Sequence, residues 1–373
     1  MDNLCIMSEK VWYKVAKLIV RASGNPLFQA NDTLVELLQT LLTEEEVSFL
    51  LNFRKPNQTF QELKERTNMD DAKLMDVLNS LMDNGFLMDV PINGMIMMEY
   101  RLLPPIADTF EYSLVRLDRP MEQKKRLAQI YEKMFKEATE VTQTNYDGLM
   151  PIFKERMPIF ARIIPIEKEL TVPQEKVLPL HEASKIVDEQ EIISVSECPC
   201  KLHRTLLGDP CKTSTDGFRC LHFGNIGRYF IEHNLGKSIS KEEAKQILKE
   251  AEEEGLVHKT FHDDFNFNKK ENSICNCCKC CCILFQTYYR GIFAFHTITT
   301  YRAKLDERKC IGCGTCVEKC PIEAISLIDG KAHDDETKCI GCGVCVHHCP
   351  ENARSLERTE TREIFLPPFK VKD

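Results

Sequence analysis

Residues 310–321 read CIGCGTCVEKCP, and residues 339–350 read CIGCGVCVHHCP. The first run offers Cys310, Cys313, Cys316 and Cys320 and closes on Pro321. The second offers Cys339, Cys342, Cys345 and Cys349 and closes on Pro350. Equivalent cysteines are 29 residues apart, as in Cys310 and Cys339. The offset continues past them, since Glu323-Ala324-Ile325-Ser326-Leu327 aligns with Asn352-Ala353-Arg354-Ser355-Leu356. A chance cluster of thiols would not carry its flanking sequence with it, so this is an internal duplication.

The spacing has a physical reason. A [4Fe–4S] cube presents four iron corners. Two-residue spacers let one tight loop reach three of them, and the fourth thiolate must come from elsewhere. In runs of this spacing the remote Cys-Pro cysteine serves the other cluster. The expected ligand sets are therefore crossed: Cys310, Cys313, Cys316 and Cys349 for one [4Fe–4S] cluster, and Cys339, Cys342, Cys345 and Cys320 for the other. Gly312, Gly314, Gly341 and Gly343 let the backbone approach inorganic sulfide. Zinc ribbons also use CxxC pairs, but not four cysteines ending in Cys-Pro and duplicated. Residues 305–357 thus resemble the bacterial-type two-[4Fe–4S] ferredoxins, which implies one-electron transfer.

The chain has 373 residues and is 43% hydrophobic, enough for two or three cores. It carries 57 acidic and 49 basic residues, a net −8, the wrong sign for a general nucleic-acid or anionic-lipid binder. Of its 19 cysteines, one is Cys5, four lie from Cys198 to Cys220, six from Cys275 to Cys282 and eight in the duplicated runs. Disulfide scaffolds are short and secreted. The opening MDNLCIMSEKVWYKVAKLIV shows no signal peptide pattern, and no apolar run is long enough to span a bilayer. A reducing cytoplasm and metal-bound thiolates are the expectation.

Four regions separate. Residues 1–105 are Met-rich and helical in pattern. Asn31 or Asp32 can cap one helix, Thr59 another, and Asp70 or Asp71 a third in which Leu74, Val77, Leu78 and Leu81 share a face and Gly85 supplies the stop. FLMDVPI-NG-MIMMEYRL follows, with Asn93-Gly94 a strong hairpin signal. Helices and then a hairpin resemble a winged helix over about residues 30–103. Its third helix carries Asp70, Asp71, Asp76 and Asp83 against Lys73, so DNA contact is disfavoured. A protein-docking role is expected, or a homodimer through this domain.

Residues 106–197 read as a connector, with a charged helix over about 121–140 and then Pro151, Pro158, Pro165, Pro173 and Pro179, each predicted to break a helix or pin an extended segment. Residues 198–300 read as a helical Cys-rich domain. Its second helix has Ser240 as cap, Glu243 closing a capping box and Gly255 as stop. Residues 301–373 hold the ferredoxin-like dicluster domain and a tail. The predicted class is α+β multidomain.

In the middle region, Cys198-Pro-Cys200-Lys precedes Cys211 and Cys220, and Cys275-Asn-Cys277-Cys278-Lys-Cys280-Cys281-Cys282 follows. With Gly255-Leu256-Val257-His258, this resembles a poorly characterised group of iron–sulfur proteins of anaerobes, over residues 176–282. Six cysteines in eight positions cannot all enter one core. Candidate ligands for one or two further [4Fe–4S] clusters are Cys198, Cys200, Cys211, Cys220, Cys275, Cys277, Cys278 and Cys281, with no single set of four distinguished. A zinc or structural site is the alternative. His258 and His262 are expected at the surface or as caps, and His347 and His348 pointing to solvent.

No nucleotide, flavin or hydrolase motif is present. The expected function is single-electron transfer between a low-potential donor and a larger partner oxidoreductase, without a catalytic residue of its own. The alternatives are a redox-sensing winged-helix regulator and a reductase with its active cluster in the middle domain.

Overall fold

A computed structural model describes residues 8–24, 27–92, 97–170, 182–214 and 217–371. Cys5, Pro173, Pro179 and the Asn93-Gly94 turn lie outside the described residues. The chain forms two compact units. One comprises the chain through Val141 with Leu202–Asp209 and Tyr229–Gly236, and the other comprises Thr142–Lys201, Pro210–Arg228 and Lys237–Asp373.

The first unit opens with helices α1 (Glu9–Ser23), α2 (Asp32–Leu41) and α3 (Glu44–Leu50), a short strand β1 (Asn57–Thr59), helices α4 (Phe60–Thr67) and α5 (Asp71–Asp83), and strands β2 (Leu87–Ile92) and β3 (Met97–Leu102). The caps explain the starts. Asn31 accepts from the Leu34 N–H at 3.0 Å and Asp70 from the Lys73 N–H at 2.9 Å, while Thr43 and Thr59 form capping boxes with Glu46 and Glu62. Leu74, Val77, Leu78 and Leu81 of α5 are buried together, and Gly85 follows in the left-handed region. The strands form a three-stranded sheet in the order β1-β3-β2, with Leu87 opposite Leu102 and Ile92 opposite Met97. Helices α6 (Phe110–Val115) and α7 (Met121–Thr144) follow.

The second unit begins with α8 (Tyr146–Arg156), which carries Pro151 inside it. The helix continues through that proline, giving up one backbone hydrogen bond where the sequence predicts a break. Next in the chain come β4 (Ala161–Ile164), α9 (Ala183–Asp188), β5 (Ile193–Glu197), α10 (Pro199–Leu206, of the first unit from Leu202), β6 (Phe218–Phe223), α11 (Gly224–Glu232, of the first unit from Tyr229), β7 (Lys237–Ser238), α12 (Lys241–Glu253), β8 (Val257–His262), β9 (Glu271–Cys277), α13 (Ile283–Tyr289) and β10 (Phe295–Leu305). The C-terminal stretch adds α14 (Thr315–Lys319), the hairpin β11 (Ile325–Ile328) and β12 (Lys331–Asp334), α15 (Val344–His347) and β13 (Arg354–Leu366).

An eight-stranded sheet in the order β13-β10-β4-β8-β9-β6-β5-β7 organises this unit. Both cysteine-rich regions belong to it. The duplicated motifs lie between β10 and β13, which pair antiparallel from Phe295 opposite Leu366 to Leu305 opposite Arg354. The motif segment is therefore held at both ends by one ladder. A continuous core runs from Ile163, Val257 and Phe285 on the sheet side to Ile322, Ile340 and Val344 beside the motifs. Tyr289 Oη donates to the Pro321 carbonyl at 2.8 Å, and the Ile166 N–H donates to the Cys342 carbonyl at 3.1 Å.

The middle region differs from its helical expectation. Helices α11 and α12 are present, with the Ser240–Glu243 capping box. The Cys275-Asn-Cys277 run, however, lies on a strand, because alternate residues share a face only at the strand period. His258 and His262 lie on β8 and are buried, not at the surface. His258 Nδ1 is 2.6 Å from Asn276 Oδ1 on the neighbouring strand, and His262 Nδ1 donates to the Lys269 carbonyl at 2.8 Å. His347 and His348 do not point freely to solvent. Both are half-buried, with His348 packed on Gly255, where an added Cβ would come within 2.2 Å of its Nε2.

Candidate metal centres

Two hollows flank the duplicated motifs. Cys310, Cys313, Cys316 and Cys349 line one, and Cys320, Cys339, Cys342 and Cys345 line the other. In each, three cysteines come from one loop and the fourth from the opposite Cys-Pro. The loops fit because glycine lets them approach neighbouring backbone. At Gly312 (φ +71°) an added Cβ would lie 2.0 Å from the Gly330 carbonyl oxygen, and at Gly341 (φ +64°) it would lie 2.1 Å from that of Tyr301.

Backbone donors repeat with the duplication. The Ala324 N–H donates to Cys320 Sγ at 3.3 Å, and the Ala353 N–H to Cys349 Sγ at 3.3 Å. The Ala303 N–H on β10 donates to Cys339 Sγ at 3.4 Å. Such bonds stabilise thiolate charge and tune a bound cluster.

Arg354 breaks the symmetry, since its counterpart is Ile325. It is buried, pairs with Asp334 at 2.9 and 3.1 Å, and brings Nη1 to 4.0 Å from Cys345 Sγ. It also lines the hollow of Cys310, Cys313, Cys316 and Cys349, and its buried Nη2 has no hydrogen-bond partner among the described residues. An orphaned donor at a thiol-lined hollow fits a site built for sulfide acceptors. Burial works against the guanidinium charge, and Cys345 and Asp334 outweigh it, so the pKa is raised.

The six cysteines at 275–282 are divided by local structure. Cys275 and Cys277 lie two apart on β9 and share a face. Cys278, Cys280 and Cys281 sit in the turn that follows, and Cys282 is the cap position just before α13. On the adjacent strands Cys220 stands opposite Cys275, Ser196 opposite Cys220, and Lys259 opposite Cys275. The register thus brings Cys275 to Cys220, and Cys220 in turn neighbours Cys198.

The result is two thiol groups. The first is a ring. Cys198 neighbours Cys200 and Cys220, Cys275 neighbours Cys220 and Cys277, and Cys282 neighbours Cys200 and Cys277, each pair sharing a thiol hydrogen bond in which either sulfur can donate. Hydrogen bonds from Cys220 and Cys277 take Cys275 down to about 5, and their thiol donors stand above the ordinary range. Lys259, fully buried, donates from Nζ to Cys282 Sγ at 3.4 Å and lies 3.5 Å from the Phe285 ring centroid. Burial lowers its pKa, but the surrounding thiolates, Cys282 first, raise it further, so the ammonium persists as their counter-ion.

The second group is Cys211, Cys278, Cys280 and Cys281, whose sulfurs all lie within 4.8 Å of one another. Hydrogen bonding with its thiol neighbours, Cys278 first, brings Cys211 to about 6. Cys280 and Cys282, absent from the candidate ligands read from sequence, both join thiol groups. The signal that separates them is the change from strand to turn to helix, which cysteine spacing does not display. Lys259 and Arg354 were also missed, since a single buried cation leaves no pattern in sequence.

A family model described as a 4Fe-4S dicluster domain matches residues 302–360. The chain is similar to Ferredoxin-2 of Desulfomicrobium norvegicum (strain DSM 1741 / NCIMB 8310), at 53% identity over 32 residues, which is 9% of this chain and 54% of that protein. It therefore spans about half the length of that curated relative. No solved structure matches. Residues 302–360 are a 4Fe–4S dicluster ferredoxin domain, a domain type that carries two [4Fe–4S] clusters.

Proposed function

We propose that this chain is an electron-transfer protein that passes single electrons between a low-potential donor and a partner oxidoreductase. The observation that carries the reading is the pair of four-cysteine hollows, each completed by the Cys-Pro cysteine of the other motif. Crossed ligation by Cys310, Cys313, Cys316 and Cys349, and by Cys339, Cys342, Cys345 and Cys320, ties both halves into one unit and keeps the carriers close. Bound [4Fe–4S] clusters supply one-electron carriers there. The chain's own residues supply the thiolates, the N–H donors of Ala303, Ala324 and Ala353, and the Arg354 cation.

The ring of Cys198, Cys200, Cys220, Cys275, Cys277 and Cys282 is the candidate for a further cluster that lengthens the path, with Lys259 offsetting its charge. Thiolates of this kind suit a reducing cytoplasm. Among the described residues no helix is long and apolar enough to cross a membrane.

The first unit supplies docking on this reading. Its order α4, α5, β2, β3 is that of a winged helix. The exposed side of α5 carries Asp71 and Asp76, and its Lys73 is paired with Glu45 at 2.9 Å. Phosphate contact needs the opposite balance, so a protein partner or a second copy is favoured over DNA. Exposed Met75 and Met97 give such a partner adaptable apolar contact.

Anaerobic titration of the full chain with a one-electron reductant, followed by an oxidised one-electron acceptor, tests this function. Uptake of at least two electrons per chain and their full return is expected. Electrons consumed without return would favour a reductase instead.

A further inference from the structure

The thiol sites of this chain differ in spacing. A tetrahedral zinc ion with Zn–S bonds of about 2.3 Å sets its four sulfurs about 3.8 Å apart along each edge. A cube holds each thiolate on its own iron, which spreads the sulfurs to roughly 6 Å. Cys211 Sγ lies 3.6 Å from Cys278 Sγ and 3.7 Å from Cys280 Sγ, and Cys280 Sγ lies 3.6 Å from Cys281 Sγ. Among the described residues this is the one group of three or more ligating atoms drawn together within 4.8 Å. The dicluster cysteines and the six-thiol ring contain no such set.

We propose that Cys211, Cys278, Cys280 and Cys281 bind a single zinc ion in a closed tetrahedral site separate from the electron carriers. Three ligands come from the turn between β9 and α13, and the fourth from the loop after α10. Outer contacts are in place. The Lys212 N–H donates to Cys280, the Thr213 N–H to Cys211, and Thr213 Oγ1 lies 3.7 Å from Cys280 Sγ. Cys278 and Cys281 are buried against Ala251 and Leu256, so the site has an apolar wall on one side. Four thiolates leave no open position, which marks a structural ion. The ion would hold the turn that directs Cys277 to one side and Cys282 to the other, and so would hold the six-thiol ring in shape.

The test is metal analysis of the full chain purified anaerobically, with Cys280→Ser beside it. The wild type is expected to hold zinc at about one per chain or more, and the variant to lose one zinc while keeping at least about eight irons per chain, those of the dicluster domain. Should the variant not fold, the zinc X-ray absorption edge of the wild type decides, with four sulfurs at about 2.3 Å expected. Loss of iron in the variant with zinc unchanged, or a wild type with less than a tenth of a zinc per chain, overturns the proposal. The dicluster electron paramagnetic resonance signal is read on the same samples. Its loss in the wild type would strike the electron-transfer reading and leave this one standing.

Discussion

Arg354 is the residue at which the two halves of the dicluster domain stop being equivalent. Its guanidinium is buried beside Cys345 and borders the hollow of Cys310, Cys313, Cys316 and Cys349, while the duplicated position holds Ile325. Reduction adds negative charge to a cluster, and a fixed cation nearby favours it. Arg354→Gln removes that cation and leaves the Asp334 carboxylate, so both changes act in the same direction. At least one midpoint potential should fall by roughly 50 mV, given charges a few ångströms apart in a partly screened interior. Redox titration followed by electron paramagnetic resonance checks it, and identical potentials in variant and wild type would remove Arg354 from this role.

Between elements, the firmest constraint is the approach of the second cysteine loop to β10. Gly341 takes a positive φ, and its missing Cβ leaves room for the Tyr301 carbonyl. That carbonyl cannot withdraw, because Tyr301 is fully buried on a strand paired with β13. Gly341→Ala should cost about 3 kcal/mol of stability and displace the loop that holds Cys339, Cys342 and Cys345. Iron content should fall by about four per chain. Gly24→Ala, where nothing lies within 4 Å of the added carbon, should leave iron unchanged. Equal iron in both variants would contradict the argument.

The same scale explains what the sequence reveals. The dicluster motif is legible because three cysteines of each hollow are local in sequence and the duplication repeats them. Helix starts at Asn31, Thr59, Asp70 and Ser240 are legible because a cap is a short-range bond. The middle cysteines are not, because their division depends on Cys220 facing Cys275 across two strands. Pairing register is a long-range property. A one-residue slip would turn Cys275 and Cys277 to the other face, where Asn276 now meets His258. The burial of His347 and His348 is illegible for a related reason, since the surface that covers them, at Gly255 and Glu169, is remote in sequence.

At the scale of the whole molecule, the strand pairs that carry the middle cysteines and the strand pair that carries the dicluster motifs belong to one eight-stranded sheet. A rigid ladder is a suitable support for electron carriers, because transfer needs them held at fixed separations. It also suits a division of labour in which one tight tetrathiolate site holds shape and the wider thiol sites carry charge. On the proposed function, the duplicated motifs hold two [4Fe–4S] clusters able to take one electron each. The most direct measurement is iron and sulfide counting on the anaerobically purified full chain, together with electron paramagnetic resonance of the dithionite-reduced protein. At least about eight irons and eight sulfides per chain are expected, with a signal from two interacting reduced clusters that Cys320→Ser and Cys349→Ser damage alike. Fewer than eight irons in fully loaded protein, or a signal indifferent to both substitutions, would contradict it.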